Sequence, residues 1–294
     1  MMENIRYWLL LCIIYPLAWL PKRVLFLFAD IFYFIVYYLI PYRKSVVCTN
    51  LSRSFPEKSY GEIKQLAKQY YRYFADLFFE NIYLLGASPE KLLGSTSFEN
   101  MELLKNYYEE KKSVVVITGH YGNWEYMSLL FFFFKFKIAY KEQKGAVDRL
   151  MKHIRSRFRD DQLIPMQQIL RYMLTHKEEQ RIYVFIADQS PTDKSKCWTT
   201  FLHQDTNFFG GAEKMAAHLD LPVVYMEILR KGRASYHFSF SSICETPKEL
   251  PEHEVTIRFA ALLEDAIKRN PQYWLWSHKR WKHKRKINNE INNI

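Results

Sequence analysis

Hydrophobic and polar positions fall into short blocks of two periods along this chain. Ser59 and Glu62 form a capping-box pattern, and Ile63, Leu66, Tyr70, Tyr73, Phe74 and Leu77 then recur at helical spacing out to about Leu85. Gly86-Ala87-Ser88-Pro89 breaks that helix. Val114 to Ile117 reads as a buried strand and Gly119 to Gly122 as a turn. Asn123 reads as the N-cap of the helix that follows. Further strands are expected at Lys137–Tyr140, Leu163–Pro165, Arg181–Ala187, Pro222–Leu229 and Tyr236–Ser242. Helices are expected at Ala146–Phe158, Ile169–Lys177, Gly211–Leu219 and Glu254–Arg269. Such alternation implies an α/β fold, a mainly parallel central sheet flanked by helices. Ligands in these folds bind at the carboxyl ends of strands, and His120 and Asp188 both occupy such ends.

The first 44 residues follow another pattern. Tyr7 to Pro21 is an apolar run of 15 residues interrupted by Pro16. After Lys22-Arg23, Val24 to Tyr42 is apolar apart from Asp30. A full span needs about 20 residues, so the first run is short, whereas the second is long enough but carries a carboxylate. Residues 1–44 are therefore expected to be a membrane-anchoring helical segment. Residues 5–40 would form either one spanning helix or a shallow helical hairpin, with Arg6, Lys22, Arg23, Arg43 and Lys44 toward the cytoplasmic head groups. Two core helices of a soluble domain are the plainer alternative. No small-residue cleavage site of a signal peptide stands out. Residues 45–282 make up the main domain, and 283–294 a basic tail expected to be disordered.

The formal net charge of +11, from 42 basic and 31 acidic residues, favours anionic partners. These include membrane head groups, phosphorylated glycolipids and acidic carrier proteins. Nucleic acid is set aside because no RNA- or DNA-binding motif accompanies the charge. The 21 Tyr and 22 Phe suit a water–lipid boundary. Cysteines 12, 48, 197 and 244 are too scattered for a metal knuckle or a disulfide framework and fit a reducing compartment.

The candidate chemistry lies in SVVVITGHYGNWEYMSLL, residues 113–130. His120 follows the strand at once and Glu125 comes five positions later. On one continuous helix those positions lie about 140° apart, so the pair can meet only if His120 precedes the helix. Glu125 would then sit in the first turn, where the helix dipole favours its ionised form, and would orient His120 as a general base. A capping Asn, a first-turn Glu and an incidental His are the bland alternative. No G-x-S-x-G elbow, H-E-x-x-H, Walker loop or G-x-G-x-x-G is present, so the nucleophile is expected to belong to the substrate.

In its context GHYGNWE, the H-x4-E pair resembles the signature of glycerolipid-type acyltransferases. It is most similar to the lauroyl/myristoyl (late) acyltransferases of bacterial lipid A biosynthesis. Four more stretches agree in order: Asn50-Leu51 with Phe55-Pro56, Ala187-Asp188-Gln189, Phe208-Phe209-Gly210-Gly211-Ala212, and the closing Gln272 to Lys282 run with Trp274, Trp276, His278 and Arg280. One departure is Tyr140-Lys141-Glu142 where the family often has Arg-Pro. A basic group survives there without its bidentate geometry.

The resemblance implies O-acyl transfer from an acyl carrier protein or coenzyme A thioester to a hydroxyl of a membrane glycolipid, most simply a lipid A precursor. It implies an enzyme at the cytoplasmic face of the bacterial inner membrane, with no metal or bound cofactor. His120 would be the base and Glu125 its orienter. Gly122 and Asn123, or a nearby arginine, would steady the oxyanion. Arg155, Asp188, Gln189 and Lys141 would support the substrates. For Asp188 the alternative is a turn cap before Pro191. For Arg149, Arg155, Arg157 and Arg159 a phosphate cradle competes with a solvated face. Phe131 to Phe134 would line an acyl groove or simply pack in the core, and the Lys279 to Lys286 stretch would dock on anionic lipid. Another lipid acceptor, a hydrolase using the same pair on water, and a non-catalytic membrane-binding protein are the rival functions.

Overall fold

The five residues of Val114–Thr118 carry no charge, and an uninterrupted apolar run of strand length needs cover on both faces. It has that cover. In the computed structural model, which describes residues 2–160, 162–191 and 197–285, all five are buried at the middle of a seven-stranded sheet. The strands are β1 (Thr96–Glu99), β2 (Val114–Thr118), β3 (Phe136–Tyr140), β4 (Leu163–Pro165) and β5 (Ile182–Ile186). β6 (Cys197–Phe201) and β7 (Gln204–Phe208) form a separate antiparallel hairpin, and β8 (Val223–Gly232) and β9 (Ser235–Cys244) complete the main sheet. Its order is β1-β9-β8-β2-β5-β3-β4. Every pairing is parallel except β8 with β9, so the expected mainly parallel sheet is present.

Among the described residues ten α-helices surround the sheet. The first four are α1 (Met2–Ala18), α2 (Lys22–Phe34), α3 (Lys44–Ser54) and α4 (Tyr60–Gly86). Next come α5 (Pro89–Gly94), α6 (Glu102–Glu109), α7 (Ala146–Arg155), α8 (Ile169–Thr175), α9 (Gly211–Leu219) and α10 (Glu254–Arg269). The capping box is formed: Ser59 accepts from the Glu62 amide while Glu62 accepts from Ser59. Side chains alternate across the sheet. Val115, Ile117, Tyr183 and Phe185 pack in one layer with Phe259 and Leu263 of α10. Val114, Val116 and Val184 pack in the other with Tyr126 and Leu129.

Two expectations change. The segment after Asn123 is a 3₁₀ helix, Trp124–Phe132, rather than an α-helix. Its tighter winding suits a short element squeezed between a turn and a bulky phenylalanine block. Within that block Phe134 is buried, whereas Phe132 and Phe133 are exposed.

The N-terminal segment departs from the single spanning helix. Among the described residues no single helix is long and apolar enough to cross a membrane. One bent pair, Lys22–Leu39 with Lys44–Ser54, passes by length and composition, turned through 87°. α1 and α2 each pack against α4. Tyr7, Leu11, Ile14, Ala18, Leu25, Phe26 and Ala29 join the core. Trp8, Leu9, Ile13, Trp19, Leu27, Phe28, Ile31 and Phe34 remain exposed on the outer side. Asp30, the carboxylate inside the apolar run, pairs with Arg233. Of the basic tail, residues 286–294 lie outside the described residues.

Candidate functional site

Parallel register decides which groups meet. Thr118 of β2 pairs with Ile186 of β5, so the chain two residues beyond each pair emerges side by side at the carboxyl edge. Those residues are His120 and Asp188. Asp188 Oδ1 lies 2.5 Å from His120 Nδ1, and Oδ2 accepts the His120 backbone N–H at 2.9 Å. Trp274 Nε1–H donates to the same Oδ2 at 2.8 Å. On the other side of the ring, the Gln189 side-chain amide lies 3.1 Å from His120 Nε2. This pattern assigns the ring proton to Nδ1 and leaves Nε2 as the acceptor. Trp124 packs edge-on against the imidazole, with ring centroids 4.7 Å apart.

Burial alone would raise the Asp188 carboxyl. The charge of His120 and the hydrogen bonds from His120 and Trp274 outweigh it and bring the carboxyl down to about 2. Asp188 is thus a buried anion, 3% exposed, behind an imidazole that is 14% exposed.

Glu125 corrects the sequence expectation. Its carboxylate does not orient His120; it takes the Arg155 guanidinium in a two-pronged pair, Nε to Oε2 at 2.7 Å and Nη2 to Oε1 at 2.6 Å. The reason is positional: Asn123 accepts from the Glu125 amide and starts the 3₁₀ helix, which carries the side chain into the interior. There a fully buried carboxylate requires a charged partner. Burial alone would lower Arg155, but the charge and hydrogen bonds of Glu125 hold it above its usual value.

The turn between His120 and Glu125 is heavily held. Gly122 has φ +62°, and a Cβ there would lie 2.0 Å from the Ile228 carbonyl oxygen. Its N–H donates to the Tyr273 carbonyl at 3.0 Å, and its carbonyl accepts from the Tyr73 hydroxyl at 2.6 Å. The Gly122 N–H is therefore committed, which corrects its expected oxyanion role. Asn123 is supporting: its amide donates to Asn81 Oδ1 at 3.0 Å and points toward the buried Glu80.

The arginine cradle is not assembled. Arg155 serves Glu125, while Arg157 donates to the Leu84 and Ala87 carbonyls at the end of α4. Arg149 meets Asn4 and the ring of Tyr7, and Arg159 lies over Phe131. Lys141 is exposed just beyond β3, on the same edge of the sheet but separated from β2 by β5.

Three contributors were missed in the sequence. Trp274 is the second anchor of Asp188. Asn50 donates to the Trp276 and His278 carbonyls at 2.9 and 3.0 Å, tying the first motif to the last. His278 is half-buried near the dyad, and its desolvation with the charge of His120 takes it down to about 4 despite the opposing pull of Asp188. The recurring W-x-W-x-H pattern was visible, but nothing local in it indicates a partner 86 residues away.

An imidazole oriented through Nδ1 by a buried carboxylate, with Nε2 turned outward, can take a proton from a substrate hydroxyl. The fold and this pair define an α/β protein with a histidine–aspartate pair at the carboxyl ends of two central parallel strands. The chain belongs to the bacterial lipid A biosynthesis acyltransferase family, whose model matches residues 1–283. It is accordingly a lipid acyltransferase acting on lipid A or a related lipid. Among solved structures it is similar to the crystal structure of the 1-acyl-sn-glycerophosphate (LPA) acyltransferase PlsC from Thermotoga maritima. That similarity has a TM-score of 0.38 and 14% identity, over 87% of this chain and 100% of that one. Among curated proteins none matches the chain.

Proposed function

We propose that the protein transfers an acyl chain from a thioester, on acyl carrier protein or coenzyme A, to a hydroxyl of a lipid A precursor. It would do so at the cytoplasmic face of the bacterial inner membrane, held there by the exposed apolar side chains of α1 and α2. The observation that carries the proposal is the His120–Asp188 contact with Nε2 facing outward. In this reading Nε2 removes the hydroxyl proton as the oxygen attacks the thioester carbonyl. Asp188 stabilises the imidazolium that forms. The tetrahedral oxyanion collapses, the carbon–sulfur bond breaks, and the imidazolium returns its proton to the thiolate. The products are an ester and a free thiol, with no acyl-enzyme. The acceptor hydroxyl would displace the Gln189 amide from Nε2, which frees that amide to donate to the oxyanion.

His120→Ala should lower acyl transfer by about two to four orders of magnitude. The decisive assay compares membrane lipids by mass spectrometry in a host lacking the gene, rescued with wild type or with His120→Ala. Lipid A lighter by one acyl chain, restored by wild type alone, supports both reaction and acceptor. Intact lipid A with another lipid missing its acyl group keeps the chemistry and replaces the acceptor. Full rescue by His120→Ala would end the general-base reading.

A further inference from the structure

Asp30, the carboxylate inside the apolar run of α2, takes no part in the chemistry above, yet the groups it meets lead back to His120. Tyr73, Asp76 and Glu80 follow one another at i, i+3 and i+7 along one face of α4. Asp76 and Glu80 are buried, and buried carboxylates require partners. The partners come from the end of β8, the turn after it and the start of β9. Arg230 Nη2 donates to Asp76 Oδ2 at 2.6 Å and to Glu80 Oε1 at 3.1 Å. The Ala234 backbone N–H donates to Glu80 Oε1 at 2.8 Å, and the Tyr236 hydroxyl donates to Oε2. Arg233 donates through Nε to Asp76 Oδ2 at 3.1 Å and through both terminal nitrogens to the Asp30 carboxylate. Asp30, Arg233, Asp76, Arg230 and Glu80 thus form one continuous chain of charges from α2 to the interior.

The inner end of that chain meets the turn after His120 at three points. Asn123, the cap of the 3₁₀ helix, points its amide at Glu80 Oε2 from 3.4 Å. The Tyr73 hydroxyl donates to the Gly122 carbonyl at 2.6 Å. The Arg230 guanidinium lies over the rings of Tyr73 and Tyr273, 5.8 and 5.9 Å from their centroids. The Tyr273 carbonyl accepts the Gly122 N–H, and the next residue, Trp274, donates to Asp188. One guanidinium therefore backs both the turn that carries His120 and the segment that holds Asp188. We propose that Asp76, Glu80 and Arg230 are positioning residues for the transfer reaction, acting on His120 through the Gly122–Asn123 turn, and that Asp30, through Arg233, makes α2 part of the same support. The proposal rests on the general-base reading above. Its physical basis is that buried ions gain little over apolar packing in stability but fix each partner in place and direction. A base must stay within hydrogen-bond reach of the proton it takes, and a displacement of about 1 Å can cost about a hundredfold in rate.

The test uses the full-length enzyme in detergent micelles, at a temperature where thermal melting shows each variant folded. Glu80→Gln keeps the shape of the side chain and should lower kcat about ten- to a hundredfold with KM within about twofold of wild type. Tyr73→Phe removes one hydroxyl and should lower kcat about tenfold. Asp30→Asn leaves Arg233 paired with Asp76, so it strands no buried charge; kcat should fall about three- to tenfold, and Asp30→Glu should recover most of it. The second readout is NMR of the proton between His120 Nδ1 and Asp188, whose exchange with water should quicken in each variant that loses rate. If Glu80→Gln does not fold, Tyr73→Phe and Asp30→Asn decide the matter. Wild-type kcat together with wild-type exchange in either of those two overturns the proposal, even where the melting temperature falls, because the network would then serve stability alone. If wild type transfers no acyl chain, the general-base reading fails, and the exchange of the Nδ1 proton by itself still decides the positioning role.

Discussion

Replacing Asp188 with Asn isolates what the buried carboxylate does. Asp188 accepts three bonds, from His120 Nδ1 at 2.5 Å, the His120 backbone N–H at 2.9 Å and Trp274 Nε1 at 2.8 Å. An amide keeps one oxygen and sets an NH₂ where the other was. With the oxygen at the Oδ2 position, the backbone N–H and Trp274 stay satisfied and the NH₂ faces Nδ1. The opposite orientation satisfies only Nδ1 and sets two donors against the NH₂. Each buried unmatched donor costs about 1–3 kcal/mol, so the first orientation wins. Nδ1 must then accept, and the ring proton moves to Nε2, where a base cannot hold it. The imidazolium also loses its counter-charge. Together these should lower kcat by about 10³- to 10⁴-fold with little change in KM. The hydrogen bonds that help hold the Asp188 carboxyl below its usual value also stabilise the fold, and the variant forfeits part of this. Single-turnover acyl transfer measures the rate, and nitrogen-resolved NMR of the imidazole identifies the tautomer. Asp188→Asn with activity within about tenfold of wild type, or with the proton still on Nδ1, would refute the reasoning.

Arg155→Ala strands the fully buried Glu125 and should cost about 3–5 kcal/mol in denaturant unfolding, whereas Glu125→Gln with Arg155→Gln should recover part of it. The Asp188 stabilisation is present above its unfolded value of about 4 and disappears as pH falls toward 2. His278 acts over a higher window. Its folded value of about 4 lies below the unfolded 6.5, so the unfolded chain takes up a proton the folded chain refuses. Stability then declines as pH drops between those values. Thermal melts across that window should show a flatter decline for His278→Gln than for wild type. Gly122→Ala forces a Cβ to within 2.0 Å of the Ile228 carbonyl at φ +62°, so a loss of about 1–3 kcal/mol and a weakened rate are expected. Unchanged melting of that variant would show that the turn can move.

Local rules written into the chain settled much of this protein. The Ser59 box, the apolar period of α4, the valine run of β2 and the Asn123 cap each depend on neighbours within a few residues, and each stands as expected. β1, β6 and β7 escaped notice because TSFE, CWTTF and QDTNF carry too few apolar positions to show a period. The candidate site divides along the same line. That His120 and Asp188 end buried strands was legible. That they face each other was not, because it follows from the β2–β5 register across 68 residues. Glu125 was the carboxylate near in sequence, yet a 3₁₀ helix turned it inward to Arg155. Folding brings together groups by register and packing, and a buried charge takes whichever partner the tertiary structure places within reach.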